Sequence, residues 1–300
     1  MNYYCTLFDS NYLTRGLALY QSLVNVKEDF HLFIFPFDNL SRDILREFDL
    51  PRVTLVPLKE FESPELLAVK PTRTQGEYCW TCTAATILFT LENFNVPEVT
   101  YLDADLFFFD KPAIVLDEFH RSGKDVLITR HNYSPQYDQT KASGVYCVQF
   151  VTFKNNPNAL HILRWWKDRC LEWCYARLEN GKFGDQRYLD DWLDRFHGVH
   201  VMQNPAAGLA PWNIQKYDCQ HGPTVNGTQA IFYHFHGLTW FRTATNEGFD
   251  NNDFYKLSDE VMSYIYQPYY QALKNSLNIV RQSYDKDFIK GIIWRDYKLW

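Results

Sequence analysis

The sequence predicts an α/β protein built on a parallel, helix-covered sheet, and three observations carry that prediction. Strand-like and helix-like stretches alternate through roughly the first 110 residues. The stretch at 99–109, VTYLDADLFFF, reads as a buried strand that ends on two acids one residue apart. The 300 residues are 46% hydrophobic and 17% aromatic with no Pro/Gly/Ser-rich linker, so one large domain with extensions can bury its core.

Residues 3–8 form a short apolar strand, and FDSNYL leads from it into a helical pattern with Leu13, Leu17, Leu19, Tyr20 and Leu23 on its apolar positions. Asp9 and Asn11 therefore stand at a strand's carboxyl edge, where open α/β sheets bind ligands and where either could hydrogen-bond a base or ribose. Ser10 or Asn11 serves equally well as a helix cap. Residues 31–35 read as a second strand, 41–48 as a helix capped by Ser41, and 53–57 as a third strand. Lys70 and Arg73 precede a helix expected over 78–94, and either cation could meet a diphosphate at the sheet edge or simply face solvent.

Asp103 and Asp105, at i and i+2 on extended chain, point to one face. Burying both costs several kcal/mol unless something positive compensates, and a hard divalent cation such as Mg²⁺ or Mn²⁺, completing its shell with phosphate oxygens, is the natural partner. A solvated Asp-x-Asp turn is the plain alternative. Residues 126–129 read as a further strand, and ASGV at 142–145 opens another, with Gly144 allowing close backbone approach to a ligand. The stretch 161–178 is an amphipathic helix with Trp166 and Trp173 in its buried stripe. In FGDQRYLDDW, Asp185 and Gln186 precede a helix pattern and could hold sugar hydroxyls, or Asp185 could offset the helix dipole. IFYHFHG at 231–237 reads as a strand with His234 and His236 on one side, able to complete a metal site or to act as structural histidines.

A net charge of −6 and a pI near 5.8 argue against nucleic-acid partners. The first ten residues lack a basic region followed by an apolar one, no run approaches a membrane span, and the seven scattered cysteines suit reduced thiols, so a cytoplasmic setting is expected. Cys79, Cys82, Cys170 and Cys174 are the right residue types for zinc, but the two pairs are far apart in helix-like sequence. At the C-terminal end, 259–283 has helical spacing. The stretch 285–300 then mixes Phe288, Ile292, Ile293, Trp294, Tyr297, Leu299 and Trp300 with Lys290, Arg295 and Lys298. That mixture suits packing on the domain or weak peripheral contact with a membrane.

Taken together and in this order, FDSNYL, YLDAD, ASGV, GDQ and HFHG resemble the motifs of family-8 glycosyltransferases, the glycogenin and lipopolysaccharide galactosyltransferase type. The resemblance covers roughly residues 3 to 242. It implies a single GT-A (Rossmann-like) nucleotide-sugar-binding domain, 1–242, with a mixed, mostly parallel central sheet and a helical C-terminal extension, 243–300, packed on it. It further implies a Mn²⁺ or Mg²⁺ ion, a nucleotide-sugar donor of the UDP-sugar kind, a glycan or lipid-linked saccharide acceptor, and retention of anomeric configuration. On this resemblance Asp103, Asp105 and His234 ligate the metal, Asp9, Asn11 and Tyr12 lie at the nucleoside, Gly237 lies against the diphosphate, Gly144 lies near the donor, and Asp185 and Gln186 face the transferred sugar. Three positions depart from the family pattern. Ala142 replaces an asparagine, Trp240 stands where the HFxGxxK lysine is expected, leaving Arg242 as the substitute cation, and EYCWTCTAATILF lacks the family's arginine, leaving Arg73 or Lys70.

Other functions share some of these features. A nucleotidylyltransferase would need a GxGTRL-type loop after its first strand, which FDSNYLTRG is not. A glycosidase needs its two carboxyls about 5 Å or more apart across a bond, which an i, i+2 pair does not offer. A sugar-nucleotide hydrolase, or a non-catalytic sugar- or nucleotide-sugar-binding protein, remains as the alternative reading.

Overall fold

Seven strands hydrogen-bond into one sheet, and the sequence dictates which of them sit at its centre. The computed structural model describes residues 1–251 and 254–295. Strand β1 (Asn2–Phe8) enters helix α1 (Leu13–Asn25), followed by β2 (Phe30–Pro36), helix α2 (Asn39–Phe48) and β3 (Val53–Leu55). Later come β4 (Glu98–Leu102), β5 (Leu106–Phe108), β6 (Val126–Arg130), β7 (Tyr146–Lys154) and β8 (Val199–Val201). The order across the sheet is β3-β2-β1-β4-β7-β6-β8. β1 pairs in parallel with β2 and β4, and β7 runs antiparallel to both β4 and β6, so the sheet is mixed and mostly parallel. Central strands β4 and β7 are almost wholly buried, as their continuous apolar sequence requires.

Each face of the sheet carries its own apolar layer. α1, the helix Ala113–Ser122 and the helix Gln267–Ser283 cover one face, with Leu13, Leu19, Phe119, Leu273 and Val280 fully buried. The helices Gln75–Asn93 and Pro157–Glu172 cover the other, with Cys82, Ile87, Ile162 and Trp166 fully buried. Trp166 stacks on Phe153, meets Trp192 edge-on, and donates its indole N–H to the backbone carbonyl of Asp185 at 2.9 Å. Trp166→Ala is therefore expected to cost about 3–5 kcal/mol, measured by denaturant unfolding. A cost below about 1 kcal/mol would contradict this packing.

Several local expectations need correction. Asp38, not Ser41, caps α2: its carboxylate accepts the Ser41 N–H at 2.7 Å and also both the N–H and hydroxyl of Ser10. Asp38 thus ties the β2–α2 turn to the β1–α1 turn, which a local reading of the helix does not reveal. Asp103 to Asp105 is a turn rather than extended chain, closed by the Leu106 N–H on the Asp103 carbonyl. The chain leaves this turn as a separate strand, β5, paired antiparallel with Phe232–His234. The stretch after Asp185 forms only a 3-10 turn, Gln186–Leu189, and a four-residue helix, Trp192–Arg195. The Asp185 side chain makes no capping bond there.

Beyond residue 242, the strand Leu238–Arg242 pairs with both Glu247–Asn251 and Ile292–Trp294, and Gln267–Ser283 lies against α1. Of the C-terminal residues singled out in the sequence, Phe288 is buried while Ile293 and Trp294 are exposed. Tyr297, Lys298, Leu299 and Trp300 lie outside the described residues. Among the described residues no helix is long and apolar enough to cross a membrane.

Candidate active site

At the carboxyl edge of β1 and β4 the chain encloses a cavity of about 630 Å³. Its floor is the turn between β4 and β5. Because β5 pairs antiparallel with Phe232–His234, with His234 opposite Leu106, the His234 imidazole lies beside the two acids. Its Nε2 is 3.2 Å from Asp105 Oδ1 and 3.7 Å from Asp103 Oδ2. One ligand atom from each of the three lies within 4.8 Å of the others, and no other cluster of this kind is found among the described residues.

The electrostatics follow from burial and this proximity. Burial, reinforced by the charge of Asp105, raises the Asp103 carboxyl to about 6. Burial also pushes Asp105 up, but the charge and hydrogen bond of His234 outweigh it and hold Asp105 below the usual carboxylate range. For His234 burial disfavours the cation, yet Asp105 prevails and keeps the imidazole well above its ordinary value. Without a metal, an imidazolium thus supplies the positive charge that the carboxylates need.

A divalent cation fits the same place. Two carboxylate oxygens and a neutral imidazole form a mixed donor set suited to Mn²⁺ or Mg²⁺, and Asp103 keeps 29% of its side chain open toward the cavity. Ligation requires Asp103 ionised and His234 neutral, so metal must displace protons. Mn²⁺ affinity is expected to rise as pH rises through about 6, with proton release visible by calorimetry in buffers of different ionisation enthalpy. Binding independent of both pH and buffer would contradict this assignment.

One wall carries Asp9, Asn11 and Tyr12 from the turn after β1. Asp9 Oδ1 accepts the N–H groups of Asn11 and Tyr12, so the turn is built by Asp9 itself, and α1 begins without a side-chain cap. The opposite wall carries Asp185 and Gln186. Burial, then the charge of Asp103, raises Asp185 to about 7. The Gln186 amide N–H donates to the Ser143 carbonyl at 2.6 Å, which fixes the orientation of its amide.

The structure does not bring the other expected residues into the cavity. Arg73 stacks on Tyr175 at 3.8 Å and Lys70 pairs with Glu62 at 2.6 Å, so both cations are committed elsewhere. Arg242 is exposed on its strand, and the cavity lining contains neither Arg nor Lys. Gly144 is required, with φ of 94°, but the close approach it permits is to Asp190: a Cβ there would meet Asp190 Oδ1 at 2.9 Å. Gly237, with φ of 75°, forms the turn after His236 and is not itself in the lining.

Other lining residues had no clear signal in the sequence. Gln75, Cys79 and Trp80 come from the first turns of Gln75–Asn93, and His131, Tyr133, Trp212 and Tyr255 come from loops. Trp212 donates to the His131 carbonyl at 2.8 Å and meets His234 and His236 edge-on. Burial and the charge of His234 push His131 down to about 3, so it is a neutral ring, stacked on Tyr133. The one available hint was the apolar character of the loop AAGLAPW at 206–212, unusual for a solvated connection.

This architecture is found in solved structures. The galactosyltransferase LgtC in complex with donor and acceptor sugar analogues matches 91% of this chain and 95% of its own, with a TM-score of 0.54 at 10% identity. An active-site glutamine-to-glutamate mutant of LgtC matches 78% of this chain and 87% of its own, with a TM-score of 0.53 at 11% identity. The fold is that of the GT-A glycosyltransferases. The chain belongs to the family of two Bacillus subtilis (strain 168) proteins, the uncharacterized YfnD and YfnF. It is 32% identical to YfnD over 302 residues, covering 97% of this chain and 94% of that protein. It is 33% identical to YfnF over 246 residues, covering 78% and 80%. No family model matches the sequence.

Proposed function

We propose that this protein is a metal-dependent glycosyltransferase that moves a sugar from a nucleotide-sugar donor, a UDP-sugar, to a saccharide acceptor with retention of configuration. The observation that carries the reading is the convergence of Asp103, Asp105 and His234 on the floor of a cavity whose facing walls hold Asp9, Asn11 and Tyr12 on one side and Asp185 and Gln186 on the other. The name of LgtC's mutant places a glutamine in that protein's active site, the residue type that Gln186 supplies here.

In this reading Asp103, Asp105 and His234 hold Mn²⁺ or Mg²⁺, which when bound neutralises the charge developing on a departing nucleoside diphosphate. Asp9, Asn11 and Tyr12 offer polar groups to the nucleoside, and the turn at Gly237 lies toward the diphosphate. Gln186 has its amide nitrogen engaged by Ser143, which leaves its carbonyl oxygen for the electron-poor anomeric centre. Asp185, with its raised carboxyl, holds a sugar hydroxyl. Arg73, Gly144 and Arg242 have no part, because none lines the cavity. With four carboxylates in the lining and no Arg or Lys, a diphosphate has little to attract it unless the cation is present.

The test is to incubate the protein with a panel of UDP-sugars and Mn²⁺, follow UDP release to water, and read the product's anomeric proton by NMR. The expected result is metal-dependent release from one donor with the donor's configuration kept. An inverted product would contradict retention, and no release from any donor would contradict transfer.

A further inference from the structure

The turn that carries Asn11 and Tyr12 is held from two places far away in the sequence. Arg15, only 6% exposed in α1, donates Nη1 to the Asn11 carbonyl at 3.4 Å and Nη2 to the Leu238 carbonyl at 2.9 Å. Its guanidinium also lies over the Tyr12 ring, 4.6 Å from the centroid. Leu238 comes directly after His234 to Gly237, so one buried cation joins the backbones of the nucleoside wall and the metal-bearing segment. A buried guanidinium is costly unless its donors are used, and these two carbonyls with the ring face are what offset that cost.

The second hold comes from the C-terminal segment. Gly291, with φ of 77°, lies so close to Asn11 that a Cβ would collide with the Asn11 carbonyl oxygen, and Arg15 Nη1 would be 3.5 Å from it. Both sides of this glycine are anchored. Phe288 is 2% exposed and its carbonyl accepts Arg281 Nε at 3.0 Å, while Ile292–Trp294 pairs in parallel with Leu238–Arg242. The turn at 291 therefore cannot swing away without breaking a strand or exposing a buried ring.

We propose that Arg15 and the turn at Gly291 form a latch that positions Asn11 and Tyr12 for the nucleotide, making the C-terminal segment part of the nucleotide site. Naming the ligand a nucleotide rests on the proposed function; the latch does not. Arg15 acts through the turn and touches no substrate, so it is a positioning residue. A methyl group at 291 must push the Asn11 peptide aside, and a lysine at 15 has a single ammonium where two separate carbonyls are now bridged.

The experiment uses the full chain with Gly291→Ala and, separately, Arg15→Lys. It measures hydrogen exchange of residues 9–12, Mn²⁺ affinity without nucleotide by electron paramagnetic resonance, and UDP affinity with Mn²⁺ by calorimetry. Both variants are expected to exchange faster at 9–12 and to bind UDP tenfold or more weakly, with Mn²⁺ affinity within twofold of the wild type. Unchanged exchange, or faster exchange with unchanged UDP affinity, overturns the latch. A parallel loss of Mn²⁺ and UDP binding also overturns it, since that marks general damage. If the variants loosen the turn but the wild type binds no UDP with Mn²⁺, the latch stands and the functional reading falls.

Discussion

Asp105→Asn is expected to weaken Mn²⁺-dependent binding of UDP by on the order of a hundredfold while the unliganded protein stays folded. The substitution keeps the side chain's shape but removes the charge that both pairs with His234 and faces the cation. Because the lining offers no Arg or Lys, no other group can take over the neutralisation. His234 loses the carboxylate that keeps its imidazole protonated, so its titration should fall toward the ordinary histidine range, visible by NMR. Wild-type UDP affinity in this variant, with Mn²⁺ present, would remove Asp105 from the metal site.

The second large effect concerns chemistry rather than binding. Gln186→Ala and Asp185→Asn should lower kcat by on the order of a hundredfold with donor KM changed only a few-fold. Asp185→Asn has an additional consequence for stability. The folded carboxyl titrates at about 7, well above its ordinary value, so the folded state holds a proton that the unfolded chain has already released. That contribution is fully present below about pH 4, the ordinary carboxyl value, and is lost as pH rises through about 7. The metal-free asparagine variant should therefore be more stable than the wild type at about pH 8 and lose that advantage near pH 4, by denaturant unfolding. A variant less stable at the alkaline end would show that the Asp185 carboxylate is stabilised rather than strained by its burial.

How much of this was legible depended on whether the causes were local. The strand ending at Asp103 is readable because β-branched and apolar residues precede the acids without interruption, and β4 is buried throughout all but its first residue. That His234 belongs with those acids was readable only from the order of motifs. The physical cause is the antiparallel pairing of β5 with Phe232–His234, a contact between segments more than a hundred residues apart. The GDQ motif was found, but its helix was not there: Asp185 is buried under Trp166 and beside Asp103 rather than placed on a helix end. The substitute cations were misplaced for a similar reason. Arg73 and Lys70 find Tyr175 and Glu62 outside their own turn, and Tyr175 lies far beyond any window around residue 70. Trp212 and His131 escaped notice because they sit in loops whose apolar packing has no period to detect.

The claim that a cation held by Asp103, Asp105 and His234 recruits a nucleotide is tested most directly by thermal unfolding of the full chain against nucleoside diphosphates and nucleotide sugars, with Mn²⁺ and with a chelator. At a hundredfold excess over Kd a ligand adds about 2.7 kcal/mol, which raises Tm by several degrees. The account predicts such a rise for UDP and for one UDP-sugar in Mn²⁺, and none in chelator. Stabilisation that is equal in chelator, or absent for every nucleotide in Mn²⁺, would contradict it.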